Sequence, residues 1–324
     1  MIASIFKRFA DNDTFYNPVA TPDSRLLSVK ERIKGKAFPF LASVSLTALS
    51  LGLSAAAVGP AATVGVAAGL TALSLVFTAR SFGKIEKRLE EVASYDFTQL
   101  DDALRFAKRF PEQAALPAKF LRVAAAAGIP EEKIPRIYVT SSSDDFWVTR
   151  LKPFSREEHY AMVVGRKRFQ NDSTESLLSG MAHEMGHTAL GHSGTASLAF
   201  HVKTLPLLNL QAGVALALTG NILAGAAYTV AAYALNAVTL AKRSQYSERE
   251  ADRFSLKTTG IIDAAAEEFD WDYDFEKRSK ASSTTRKLLS THPPSGQRAD
   301  YIRGFGKANP EYCSQRRAAL GLAR

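Results

Sequence analysis

The sequence predicts a mainly helical α+β protein whose soluble part is interrupted by two membrane-crossing helical hairpins. Three observations carry this reading. Residues 37–79 and 204–241 contain no Lys, Arg, Asp, Glu or His. Basic residues crowd the ends of both stretches: Lys30, Arg32, Lys34 and Lys36, then Arg80, Lys84, Lys87 and Arg88, then Lys203, Lys242 and Arg243. The remaining chain mixes charged, helix-patterned segments with two short strand-like runs.

Taken in order, residues 1–36 form a basic, polar leader broken by Pro18 and Pro22. The stretch 37–79 is long enough for two spans of about 20 residues each, with Gly59-Pro60 as the turn. Gly65 and Gly69 have the small-xxx-small spacing that allows close helix approach. Residues 82–127 read as helix, stopped by Gly128-Ile129-Pro130. Ile137-Tyr138-Val139 and Tyr160 to Val164 are the strand candidates. A further helix starts at the capping residue Ser173 and runs through Leu177, Leu178, Met181 and Leu190 to Gly191. The stretch 204–241 turns at Thr219-Gly220-Asn221, giving two short spans that carry Asn209, Gln211 and Asn236. A hairpin buried in a soluble protein is the alternative for this segment. Residues 80–203 and 242–324 are then the two halves of one soluble unit. Neither turn carries charge while the flanks do, so all hairpin ends are expected on the cytoplasmic side.

The formal net charge of +9 follows largely from those flanks, which suit anionic lipid headgroups. Nucleic acid is not an expected partner, because no stripe of interleaved Arg and aromatic residues accompanies the charge. Cys313 is the one cysteine of 324 residues; it cannot form an internal disulfide and suits a reducing compartment. No secretory signal stands out in the leader.

The chemistry concentrates in His183-Glu184-Met185-Gly186-His187. Histidines four apart share one helix face, and two imidazoles so placed can hold one Zn²⁺. Glu184 lies beside the first, within reach of a metal-held water without being a ligand. A catalytic site wants a third protein ligand and an open position. His192 misses the six-residue spacing of the longer H-E-x-x-H-x-x-G-x-x-H pattern and reads as a polar residue at the helix end. His292 stands before Pro293-Pro294, in a fixed loop. Glu248 is the preferred third ligand, because Asp252 falls four residues later on the same helical face and can orient a ligating imidazole. Glu250 points elsewhere and reads as a solvated charge, kept as a substitute ligand.

The order of these motifs resembles the HtpX-type family of membrane zinc metallopeptidases, which includes the CAAX-processing prenyl protease. It consists of His-Glu-Met-Gly-His, an apolar hairpin, Glu248-Arg249-Glu250-Ala251-Asp252, then Thr291-His292-Pro293-Pro294 with Arg298. The likeness runs from about Phe38 to Ile302. It implies a gluzincin-like core with a small sheet, one catalytic Zn²⁺ on His183, His187 and Glu248, and Glu184 as catalytic base. Asp252 would support the ligands from behind, and His292 and Arg298 would line the site as catalytic residues.

The implied function is a zinc endopeptidase of a bacterial-type inner membrane, multi-pass, with its catalytic domain in the cytoplasm. Unfolded or membrane polypeptides are the implied substrates, clipped in quality control, and an extended substrate is expected alongside the strand Tyr160 to Val164. Processing of a lipidated C-terminus is a second enzymatic reading, for which four spans are too few to enclose a chamber. A latent or catalytically silent membrane scaffold that retains the zinc site is the non-enzymatic alternative. Residues 263–288 divide into an acidic-aromatic half, Glu267 to Glu276, and a basic half, and are expected as a surface excursion. The sequence carries no sign of oligomeric state.

Overall fold

The computed structural model describes residues 37–141, 146–151, 159–192, 200–278 and 292–322. The leader 1–36 and residues 279–288 of the basic half therefore lie outside the described residues.

Helix α1, Phe38–Val58, turns at Gly59, whose φ of 87° is left-handed, into α2, Pro60–Glu90. Proline at the first position of α2 suits a helix start, where its missing N–H costs nothing. The first hairpin is thus where the uncharged stretch put it, but α2 runs on without a break through Arg80, Lys84 and Lys87. The second hairpin pairs α7, Leu205–Leu218, with α8, Ile222–Thr259. Gly220, at φ 86°, makes the turn, and the Asn221 side chain accepts from the Ala224 N–H to cap α8. Among the described residues three helices, α1, α2 and α8, are long and apolar enough to cross a membrane. The expected fourth span falls short: α7 has 14 residues, about 21 Å at 1.5 Å per residue, against a hydrocarbon core of about 30 Å.

Apolar side chains point outward from this bundle; Leu223 is 84% and Val230 71% exposed. An outward apolar belt of this size belongs against lipid or a partner. Several polar residues point inward, among them Ser50, Ser74, Thr204 and Asn209. Ser50 on α1 donates to Asn209 Oδ1 on α7 at 2.9 Å and shares a hydrogen bond of 2.6 Å with the Tyr228 hydroxyl on α8. Ser74 on α2 meets Thr204 at 2.7 Å. Hydrogen bonds between helices in an apolar medium hold a bundle that lipid alone would not drive together. The small-residue contact is displaced from its expected place: a Cβ on Gly65 or Gly69 would meet nothing within 4 Å. At Gly225 a Cβ would lie 2.4 Å from the Gly213 carbonyl oxygen, so α7 and α8 are the helices that touch through glycine.

The region 82–127 is not one helix. After α2 come strand β1, Ala93–Tyr95, helix α3, Leu100–Arg109, and helix α4, Leu116–Ala126. Strands β2, Arg136–Thr140, and β4, His159–Gly165, contain the two expected runs, and β3, Phe146–Leu151, is an addition. The sheet order is β1-β2-β4-β3, with β2 and β4 parallel and the outer strands antiparallel to their neighbours. One face of β2 and β4 joins α3, α4 and the site helix α6, Thr174–Ala189, around Phe97, Phe106, Phe110, Phe120 and Phe169. Phe106 and Phe169 sit edge to face with centroids 5.1 Å apart.

Helix α5, Arg166–Asn171, leads into α6. Helices α9, Asp263–Arg278, α10, Ser295–Ala308, and α11, Pro310–Ala319, follow α8 among the described residues. The acidic-aromatic segment forms part of α9, and its first turn is not a surface excursion: it is tied to the core where Arg168 donates to Glu268 at 2.6 Å. Cys313 also lies inside, buried with Leu256 and Phe305 rather than in a solvated tail.

Candidate metal centre

The site is the crossing of α6 and α8. Ser173 caps α6 by accepting from the Ser176 N–H at 3.1 Å, and at the same end Arg317 of α11 grips Glu175 at 2.8 and 2.9 Å. Close approach of the two helices depends on Gly186. A Cβ there would lie 3.0 Å from Phe254 Cβ and 3.1 Å from Ala251 Cα. The one-residue gap lets His183 and His187 on α6 face Glu248 on α8.

The donor atoms form a compact triangle. His183 Nε2 and His187 Nε2 are 3.1 Å apart, and the Glu248 carboxylate lies 3.4 Å from the first and 3.5 Å from the second. An ion held tetrahedrally at ~2.0–2.1 Å from its ligands has ligand-to-ligand edges of roughly 3.3–3.4 Å. The donor set and its spacing therefore fit a small divalent ion. Burial would lower the His183 pKa, but the carboxylates of Asp252 and Glu248 overcome it and push it up to about 10. Burial would raise Glu248, yet the three imidazoles of His183, His187 and His292 hold it far below the usual carboxylate range. The site is thus built to keep positive charge.

Around the triangle, Asp252 Oδ1 lies 2.9 Å from His183 Nδ1. Arg298 grips Asp252 with Nε at 2.8 Å and Nη2 at 2.5 Å, while its third nitrogen lies 3.4 Å from Glu248. The guanidinium also lies over the Phe269 ring at 3.9 Å. His292 reaches the same carboxylate, with Nδ1 3.3 Å from Glu248 Oε2, and stays largely open to solvent. Glu184 faces a cavity of about 170 Å³ lined also by Phe146, Gly180, Leu256, Phe269 and Ile302. Burial pushes the Glu184 carboxyl up, opposed by the imidazole charges and by a hydrogen bond from the Val148 backbone.

All seven residues singled out for the site come together. Two placements differ from expectation. Glu250 is not a solvated charge, because the Tyr246 hydroxyl donates to it at 2.8 Å and His192 Nε2 lies 3.0 Å away. Strand β4 cannot take a substrate on its edge, since β2 and β3 flank it. Among the described strands, β3 is the edge nearest the site, with the Phe146 ring against Gly180. No periodic signal marks β3, whose six residues are all half-buried.

The model of Peptidase family M48 matches residues 111–305. The chain belongs to this family. M48 comprises HtpX-like and CAAX-protease-like zinc metallopeptidases, so a metallopeptidase is the class of protein the chain represents. The M48 match takes in β2, β3 and β4, α6, the second hairpin with all of α8, and most of α10; α1, α2, β1, α3 and α11 lie outside it. No curated protein and no solved structure matches the chain.

Proposed function

We propose that this M48 protein is a membrane-anchored zinc endopeptidase that cleaves polypeptides at the cytoplasmic surface of an inner membrane. The observation that carries the reading is the His183–His187–Glu248 triangle with Glu184 on the adjoining cavity. What a bound Zn²⁺ supplies there is Lewis-acid polarisation of the scissile carbonyl and a lowered pKa for the attacking water.

The protein's own residues do the rest. Glu184 takes the proton of the attacking water and returns it to the leaving amine; a carboxyl raised by burial is closer in pKa to that task. Asp252 fixes the His183 ring, and Arg298 fixes Asp252. With Nε and Nη2 on Asp252 and Nη1 beside Glu248, Arg298 acts as a positioning residue more than as a donor to substrate. His292, whose Nδ1 lies beside Glu248, faces solvent at the site and is the group placed to meet the developing oxyanion. An extended substrate pairs with the β3 edge, whose backbone already reaches Glu184 at Val148, so recognition is largely independent of sequence.

Membrane substrates are favoured by the length of α8. The last uncharged residue before Lys242 is Ala241 and the ligand Glu248 is seven residues on in the same unbroken helix. At 1.5 Å per residue the metal centre stands only about 10 Å beyond the apolar segment.

The test is cleavage of a disordered protein by detergent-solubilised, zinc-loaded enzyme, wild type against Glu184→Gln. The variant is expected to bind one zinc and to lose activity by about 10²–10⁴-fold. If wild type binds zinc and does not cut, the scaffold reading replaces this one.

A further inference from the structure

His183 has a carboxylate, Asp252, directly behind it. His187 does not, yet its far nitrogen is not left to solvent. Helix α6 ends in a left-handed turn at Gly191, φ 68°, in which the His192 N–H bonds the His187 carbonyl at 2.9 Å and the Gly191 N–H bonds the Thr188 carbonyl at 3.1 Å. This paired closure folds the chain back on the last turn. It brings the His192 ring against that of His187, with centroids 5.2 Å apart and Nδ1 to Nδ1 at 3.1 Å. His192 Nε2 then meets Glu250 Oε2 at 3.0 Å, and Glu250 Oε1 accepts from the Tyr246 hydroxyl at 2.8 Å.

We infer that His192, held by Glu250 and Tyr246, is a positioning residue that sets the tautomer and ligand strength of His187. The inference rests on the proposed role of His187 as a zinc ligand. Hydrogen-bond polarity then has one consistent assignment. A ligating Nε2 leaves the proton of His187 on Nδ1, which donates to His192 Nδ1. His192 in turn carries its proton on Nε2 and donates to Glu250, whose second oxygen takes the Tyr246 hydroxyl. Partners of ligating imidazoles that end on a carboxylate fix ring orientation and raise basicity. Here the carboxylate acts through a second imidazole, and the two metal-binding histidines are supported by different devices.

Zinc affinity of the full-length protein in detergent, measured by chelator competition, tests this, alongside thermal unfolding of the metal-free forms. His192→Ala is expected to bind zinc about 10- to 100-fold more weakly than wild type, with unfolding of the metal-free form little changed. His192→Gln, whose amide can accept on one atom and donate on the other, is expected to recover most of the affinity. Tyr246→Phe is expected to shift it in the same direction as His192→Ala by less. Wild-type affinity in His192→Ala overturns the inference, as does equal weakness of the Ala and Gln variants. A drop in unfolding temperature with normal affinity would make the chain a mere tie between α6 and α8, and would also overturn it. His187→Ala separates the two claims: if it keeps its zinc, the metal-site reading itself fails, whereas loss there with no effect at His192 removes only the relay.

Discussion

At the scale of single residues, the centre is a small network in which few groups are replaceable. Arg298 is the test of that. It is buried, its guanidinium forks onto Asp252, and its face covers Phe269. Removing one partner of a buried pair leaves the other as an uncompensated charge. Arg298→Ala is therefore expected to lower stability by about 3–5 kcal/mol, measured by denaturant unfolding in detergent, and to weaken zinc binding through a loosened His183. Arg298→Lys keeps the charge but loses the fork, and should fall between. Wild-type stability and zinc binding in the Ala variant would mean that Asp252 is held by something else. The group that could hold a metal, His183, His187 and Glu248, was legible in the sequence because helical periodicity turns a four-residue spacing into a shared face. The pairing of Glu250 with His192 was not, since a turn at Gly191 and a helix about sixty residues later had to meet first.

At the scale of elements, the site depends on how closely α6 and α8 cross. Gly186→Ala places a methyl 3.0 Å from Phe254 Cβ and 3.1 Å from the Ala251 backbone. The backbone cannot yield as a side-chain tip would, so the helices must part. Overpacking of this kind costs about 1–3 kcal/mol, and here it also moves Glu248 away from the two histidines. A lowered melting temperature together with reduced zinc content is expected; a fully stable, zinc-replete variant would show that the crossing has slack. The sequence disclosed the long helices and their glycine turns, because uncharged stretches and left-handed glycines are local signals. It did not disclose β1 or β3. Both are short, and β3 shows no alternation because it is half-buried on both faces, so only pairing with β4 defines it. Gly65 and Gly69 show the converse error: their spacing permits close approach, but α2 presents them to open space.

At the scale of the whole molecule, α8 is both an apolar membrane-length segment and the carrier of Glu248 and Asp252. A rigid helix of this kind fixes the height of the centre above the bilayer. Substrates with one cleavable segment set at increasing spacer lengths from a membrane anchor should be cut fastest where the segment sits within about 10–20 Å of the surface, the reach set by the helix rise. A rate independent of spacer length in proteoliposomes would detach the site from the membrane. Orientation and family membership alone do not supply this distance; the unbroken helix does. The claim on which everything else stands is that His183, His187 and Glu248 together hold one catalytic zinc. Metal analysis of purified wild type beside His183→Ala, His187→Ala and Glu248→Ala tests it most directly. One zinc per wild-type chain is expected, with little or none in each variant, and chelator-stripped wild type should regain cleavage when zinc is returned. Stoichiometric zinc in any of the three folded variants, or cleavage that survives stripping, would contradict it.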